Sequence, residues 1–516
     1  MVVKYQDMAP LDYLKLSKPG KAWCRFYSFF LNIPRACVNL VFAIGRLFKR
    51  FGLWTAHECI DIINTFRYGD WKTRLSFVVM GFGNLSRRQI LRGILFLAFE
   101  IAFIVYMVMA GGYWLSKITL AGQQEAYYAT ETVTIIVAGI PVESTSEYLV
   151  KGDNSIKILV YSTLTVFFII AFVYTWRLNV KQAKLSQQYL ENGKRLKSSK
   201  DDLKSVLDSQ FHKTVLALPT VGILFFTVIP IIIMIMVAFT NFDVNHTPPL
   251  KIFEYIGWSN FSDVFTISGA SASNSFSATF GEILVWTLVW AFFATFSNYF
   301  LGMFVAMMIN RKGIKLKKMW RGILVLTIAI PQFISLLFVS KLFDEGGMLN
   351  TWLYSTYGYK IPFWTDGTLA KVMVIVLNIW VGIPYLMLIT TGVLMNIPAD
   401  LYESSRIDGA NGWQMYTKIT LPYMLFVTGP YLLTSFTGNM NNFNVIYLLS
   451  GGGPFTLYQG AGETDLLITW LYRLTVTNNE YNLAAVIGLL DFIVVAIVSL
   501  VVYNIIPSTR NEEQFQ

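Results

Sequence analysis

Ser435, Gly438, Asn439 and Asn442 have the types and the spacing to bind a neutral polar ligand. The surrounding stretch, TSFTGNMNNFNVIYLLSGGGP, is unusually polar for an otherwise apolar region. On one continuous helix these four residues fall three and four apart and share a face. An Asn amide both donates and accepts, which suits the vicinal hydroxyls of a sugar. Upstream, Val381-Gly382-Ile383-Pro384-Tyr385 adds a small residue, a kink and an aromatic hydroxyl. A tyrosine ring can stack on a pyranose while its hydroxyl finds a polar partner. The same spacing serves equally well for amide bonds between packed helices. Neither stretch carries Arg or Lys in its middle, where a phosphorylated ligand would need one.

A second pattern lies between these two, IPADLYESSRIDGANGWQMYTKITLP. Pro398 suits the first position of a helix, where its missing N–H costs nothing. That helix can run through Leu401, Tyr402, Ser405 and Ile407 to an Asp408-Gly409 turn. Asn411 can then cap a second short helix, on which Trp413, Tyr416 and Ile419 form an apolar stripe. Such a stripe, with no lipid to cover it, calls for a groove on another protein.

Catalytic chemistry finds little support. The three histidines, at 57, 212 and 246, lie outside any apolar run, and His57 with Cys59 makes too small a set for a metal site. No G-x-x-x-x-G-K-[ST] phosphate cradle occurs; Gly20-Lys21 and Gly193-Lys194 lack its other members.

The elements that must position these residues are membrane spans. Hydrophobic residues make up 54% of the 516 and charged ones only 14%, with a mean hydropathy of +0.51. A soluble domain carries about 25% charged residues. Eight apolar runs are long enough to cross a bilayer as helices, at about 93–115, 156–176, 214–240, 283–309, 322–343, 371–395, 422–449 and 483–506. Kinks are expected at Pro331 and Pro384. The expected fold is therefore all-α and polytopic. The intervening segments 1–92, 177–213, 311–321, 396–421 and 507–516 hold 33 of the 41 Lys and Arg residues, which places them and both termini in the cytoplasm. The net charge of +10 follows from that bias and does not call for nucleic acid.

Residues 1–92 are basic and interrupted; Trp23–Phe51 suits one or two amphipathic helices on the inner membrane surface, or a tail packed on the bundle. Cys24, Cys37 and Cys59 fall in this cytoplasmic region, so no structural disulfide is expected, and no cleavable signal peptide is evident. Segment 177–213 reads as a polar linker that extends the second span and returns, separating spans 1–2 (93–176) from spans 3–8 (214–506). Glu100 and Asp491 lie inside spans; buried helix-to-helix bonds explain them more simply than a proton relay does. External loops are too short for a sizeable folded domain.

The loop at Glu403–Pro422 resembles the EAA motif of ABC importer permeases. Glu403, Ser404, Ser405, Gly409, Ile419, Leu421 and Pro422 match its spacing, with Ser in place of two small Ala residues. The resemblance implies that this loop inserts into a separate nucleotide-binding subunit, which would hold ATP and Mg; this chain itself would hold no cofactor. From about 214 onward the chain is similar to the MalF-type subunit of maltose and maltodextrin importers. By that resemblance Val381, Gly382, Tyr385, Ser435, Gly438, Asn439 and Asn442 line a transmembrane sugar site, and spans 3–8 form the permease core. Gly438 departs from a bulkier aromatic in the enteric form, and the large external domain of that form is missing. The implied assembly contains a second homologous permease, two ATPase copies and an extracytoplasmic sugar-binding protein in a bacterial inner membrane. A proton-coupled secondary transporter using Glu100 and Asp491, and an importer of another oligosaccharide, are the competing expectations.

Overall fold

Apolar helices of membrane length dominate the chain. The computed structural model describes residues 42, 45–119, 121–137, 140–196, 198–265, 276–311, 313–457 and 460–505. Cys24, Cys37, most of Trp23–Phe51 and the 507–516 tail lie outside the described residues. Among those described, seven helices are long and apolar enough to span, or eight if one bent pair counts as a span. The chain divides into two compact units, Met1–Ile233 with Pro248–Ile252, and Met234–Thr247 with Phe253–Gln516.

In the first unit, α1 (45–68) leads through two short turns to α2 (Ile90–Ser116). A hairpin follows, β1 (Tyr127–Val137) paired antiparallel with β2 (Ile140–Val150), Tyr127 opposite Val150. This hairpin departs from the all-helical expectation, though the fold remains overwhelmingly α. Next comes α3 (Ser155–Glu191), whose 37 residues carry the second span well beyond the apolar run ending at Trp176. The chain then returns through α4 (Ser199–Leu207), started by a Ser198/Asp201 capping box, into α5 (Phe211–Val237). Helices α2 and α3 pack through Phe103 stacked on Phe172 at 4.1 Å and a 2.8 Å bond between the Tyr106 and Thr165 hydroxyls. Glu100 accepts the backbone N–H of Met80 at 2.8 Å, a bond to the turn that precedes α2 rather than the expected helix-to-helix bond, and Asp491 Oδ1 has no partner among the described residues.

The second unit is built around α6 (Phe276–Asn310). Next, α7 (Lys317–Ala329) and α8 (Gln332–Leu342) meet at 86°. The expected kink at Pro331 is therefore a full break: Ile330 is forced to extended backbone before the proline, with ψ 124°. After α9 (Met348–Tyr357) comes α10 (Gly367–Leu394), which contains Pro384 without interruption. Then follow α11 (Ala399–Ile407), α12 (Gly412–Met440), α13 (Phe443–Leu449), α14 (Leu467–Val476) and α15 (Tyr481–Ile505). Helix α6 packs closely on α10, where Gly302 meets Leu386 and Gly382 meets Asn298. It joins α12 through a 2.8 Å bond between the Tyr299 and Thr428 hydroxyls. At the far end Arg473 pairs with buried Asp465 at 3.3 Å and donates to the Gly451 carbonyl, tying α14 to the glycine-rich loop after α13.

Candidate functional site

The expected coupling segment takes two helices and a turn, but not in the expected proportions. Pro398 stands one place before the first helical residue rather than at it, and α11 follows. Gly409 adopts φ +76°, a conformation that costs any residue with a Cβ, and this reverses the chain. Asn411 caps the next helix through a reciprocal bond pair with Gln414, both 2.9 Å. That helix does not stop after a few residues: from Gly412 it runs through a π turn at Tyr416–Thr420 into α12. The expected second short helix is therefore the foot of the seventh span. Tyr402 ties α11 to it by a 2.8 Å hydroxyl bond to Thr420.

Exposure separates the residues of this segment by role. Ile407, Trp413, Glu403, Ser404, Gly409 and Pro422 are exposed, with Ile407 at 88% and Trp413 at 71%. Ser405 and Ile419 are half-buried, and Leu421 and Tyr416 pack on the cluster around Met424 and Leu386. The Glu403 carboxylate has no ion pair or hydrogen bond among the described residues. Two large exposed apolar groups on one loop are the kind of surface that another protein covers.

The polar stretch of the seventh span also departs from one uninterrupted face. Helix α12 ends at Met440, and Asn442 starts α13, its side chain accepting from Val445 N at 3.3 Å. Ser435, Gly438 and Asn439 share α12, while Asn442 reaches them by donating to Asn439 Oδ1 at 3.2 Å. Asn439 Nδ2 donates to Thr295 Oγ1 at 2.9 Å, and Trp290 Nε1 donates to the Asn439 carbonyl at 3.0 Å. Each amide thus spends part of its capacity within the protein and leaves one N–H and one lone pair unused among the described residues. The helix-bonding and ligand-binding readings are both accommodated by the same two side chains.

Helix α6 connects this group to α10. Thr295 holds Asn439, and one turn further Asn298 lies flat against Gly382. A Cβ built on Gly382 would stand 2.5 Å from Asn298 Nδ2, so this glycine provides close approach of two helices. Val381 packs in the cluster with Trp290 and Val374, whereas Tyr385 is half exposed at 52%. Gly438 has no neighbour within 4 Å of a built Cβ, so it leaves open space on the same helix. The structure adds Asn378, which the sequence reading passed over. It sits one turn before Gly382 on α10, buried, with Nδ2 lacking any partner among the described residues. Asn298 Oδ1 is likewise unpartnered. No cluster of metal-ligating side chains occurs among the described residues.

Residues 298–511 match the family of binding-protein-dependent transport system inner membrane components. A maltodextrin transport system permease protein of Streptococcus pneumoniae is 32% identical over 84% of this chain and 95% of its own length. The chain belongs to this permease family. A galactooligosaccharide permease protein of Bacillus subtilis is 34% identical over 70% of this chain and 86% of its own length. The maltose/maltodextrin permease protein MalF of Escherichia coli is 38% identical over 48% of each chain. The family places the protein among multi-span membrane transport components rather than enzymes, and its membership displaces the secondary-transporter alternative.

Proposed function

We propose that this chain is the MalF-type permease subunit of an ABC importer that moves a neutral oligosaccharide of the maltodextrin class by alternating access. The observation that carries the cargo reading is the polar group on α6, α10 and α12. There Asn439 and Asn442 retain unused hydrogen-bonding capacity, Gly438 on the same helix as Asn439 leaves open space, and Tyr385 is half exposed, with no cation among these residues. Val381, Gly382 and Ser435 shape the wall, and Asn378 adds an unpartnered donor. Similarity to the pneumococcal maltodextrin permease over most of both chains supports the same reading.

In this reading Glu403, Ser404, Ser405, Gly409, Ile419, Leu421 and Pro422 form or brace the surface that enters a separate ATPase subunit. That subunit is present in two copies and holds ATP and Mg. A second, homologous permease completes the pore, and an extracytoplasmic binding protein delivers the sugar. Segments 1–92, 177–213, 311–321, 396–421 and 507–516 face the cytoplasm, with spans at 93–176 and the permease core at 214–506; the lysine and arginine bias supports this orientation.

The test is uptake of labelled maltotriose into proteoliposomes holding the assembled importer and its binding protein, in competition with a galactooligosaccharide. ATP-dependent uptake blocked by maltodextrins supports the proposal. Preferential block by the galactooligosaccharide would move the cargo to the class named for the Bacillus relative. Uptake driven by a proton gradient without ATP would overturn it.

A further inference from the structure

Helix α1 presents three distinct faces. Thr55, Glu58, Ile62 and Thr65, spaced three and four apart, turn inward and are the less exposed positions. Along this side Glu58 pairs with Arg177 through bonds of 2.8 and 2.5 Å, Asp61 pairs with Lys184, and Arg177 stands 4.8 Å over the Trp54 ring. Arg46, Arg50, His57 and Asn64 mark a polar strip. The remaining arc, about 140° wide at 3.6 residues per turn, carries Phe48, Leu53, Ile60, Ile63 and Phe66, with Lys49 near the start of the helix and Arg67 near its end. Each of these five is 52% to 69% exposed, and among the described residues only Phe66 meets another ring, edge-on to Phe77 at 5.2 Å.

Depth and charge identify the occupant of that arc. Helix α3 carries no charge from Ile158 to Trp176. At 1.5 Å per residue that is about 28 Å, close to the thickness of a bilayer's hydrocarbon core. The first charge after it is Arg177, and Arg177 and Lys184 are the residues that grip α1. Helix α1 is therefore held where hydrocarbon gives way to headgroups. Residues 45–75 contain six cations, Arg46, Lys49, Arg50, Arg67, Lys72 and Arg74, against three carboxylates. All three carboxylates are neutralised from outside the segment: Glu58 by Arg177, Asp61 by Lys184 and Asp70 by Arg87. That leaves six cations with no carboxylate partner among the described residues, on and beside a largely apolar arc, the pattern of a helix that binds an anionic leaflet.

We propose that α1 is an interfacial helix, seated in the acyl–headgroup boundary of an anionic leaflet and clamped there by α3. It thereby anchors the cytoplasmic end of the first two spans to lipid rather than to a protein partner.

The experiment uses the full chain with its native cysteines replaced by serine. Single cysteines at Ile60→Cys, Ile63→Cys and Asn64→Cys carry a nitroxide, and Ile104→Cys on the exposed side of α2 serves as the lipid control. In phosphatidylcholine vesicles containing phosphatidylglycerol, the labels at 60 and 63 are expected to collide severalfold more with oxygen than with an aqueous nickel chelate. The label at 64 should show the reverse. Labels at 60 and 63 as open to nickel as that at 64 would overturn the proposal, and so would shielding from both reagents, which marks a protein-covered face. Replacing Arg46, Lys49 and Arg50 together by Gln should make sites 60 and 63 shallower in these vesicles while leaving 104 unchanged. An unchanged depth would refute the anionic part of the inference.

Discussion

Gly382→Ala separates two uses of a glycine, admitting a sugar or admitting another helix. A built Cβ lies 2.5 Å from Asn298 Nδ2, 2.6 Å from Cγ and 2.8 Å from Oδ1, against 3.4 to 4 Å for ordinary contact. The helices must part by nearly 1 Å, or the amide must move. Overpacking of this kind costs about 1–3 kcal/mol, which is roughly a 5- to 150-fold loss in the native population. Asn298 is a poor candidate to yield, because Nδ2 is bonded to the Ala294 carbonyl at 2.8 Å in the tightly packed α6. Its Oδ1 has no partner among the described residues, so Asn298→Ala removes the obstruction and also a buried unpaired acceptor. The assay is the fraction of assembled transporter that stays monodisperse after graded heating, for both single variants and the double. Gly382→Ala should lower the midpoint, and adding Asn298→Ala should recover most of the loss, a coupling expected only for residues in contact. If Gly382→Ala heats like the parent and changes only sugar affinity, the close-approach role is wrong.

Asn439→Ala removes the donor to Thr295 and the acceptor for Asn442 together; uptake should fall about tenfold or more while ATPase association holds, since a ligand hydrogen bond contributes about 1 kcal/mol and its scaffold fails as well. Gly409→Pro cannot reach φ +76°, so the variant should fold yet lose stimulation of the ATPase by sugar-loaded binding protein; full stimulation would remove the coupling assignment. Arg473→Ala leaves the Asp465 carboxylate buried without its cation, a loss of about 3–5 kcal/mol measured by heat stability. Burial pushes Asp465 above the usual carboxylate range even beside Arg473. Its folded form therefore binds the proton more tightly than the unfolded chain, and stability falls as pH rises through that window. The Arg473→Ala variant should be rescued toward pH 5 and most impaired at pH 8; a pH-independent defect would refute the buried-charge explanation.

The spans were legible because lipid leaves the backbone no alternative to long apolar helices. Gly409 and Asn411 were legible for a similar reason, since a reversal and a helix start each demand particular residue types. The hairpin at Tyr127–Val150 was missed although TETVTII has strand-like residues in alternation, because attention to span length passes over two-residue periods. The continuity of α12 was hidden by Gly412 and Pro422, residues that read as punctuation; here Gly412 opens the helix and Pro422 follows a π turn in it. Asn378 gave only the signal of one amide in an apolar run. That its Nδ2 is buried without a partner among the described residues emerges only when the helices pack.

That continuity changes how the proposed coupling works. Were the second helix of the loop a separate element, a push at Trp413 would have to cross a joint before reaching the sugar site. From Gly412 to Asn439 the backbone is instead helical throughout, about 40 Å at 1.5 Å per residue. The foot is tied to α11 by Tyr402, mid-height to α6 by Thr428 and the top to α6 by Asn439. Displacement delivered at the Gly409 turn therefore reaches Ser435 and Asn439 through one lever. Compliance along it is confined to the π turn at Tyr416–Thr420 and to Pro422 and Pro430, where regular hydrogen bonding is already relaxed. Thr295 and Asn298 stand one turn apart on α6, so the contacts to Asn439 and to Gly382 are made by neighbouring turns of one helix. In the proposed coupling, opening of the site and movement of the loop are then two ends of a single mechanical change, without a relay of side chains between them.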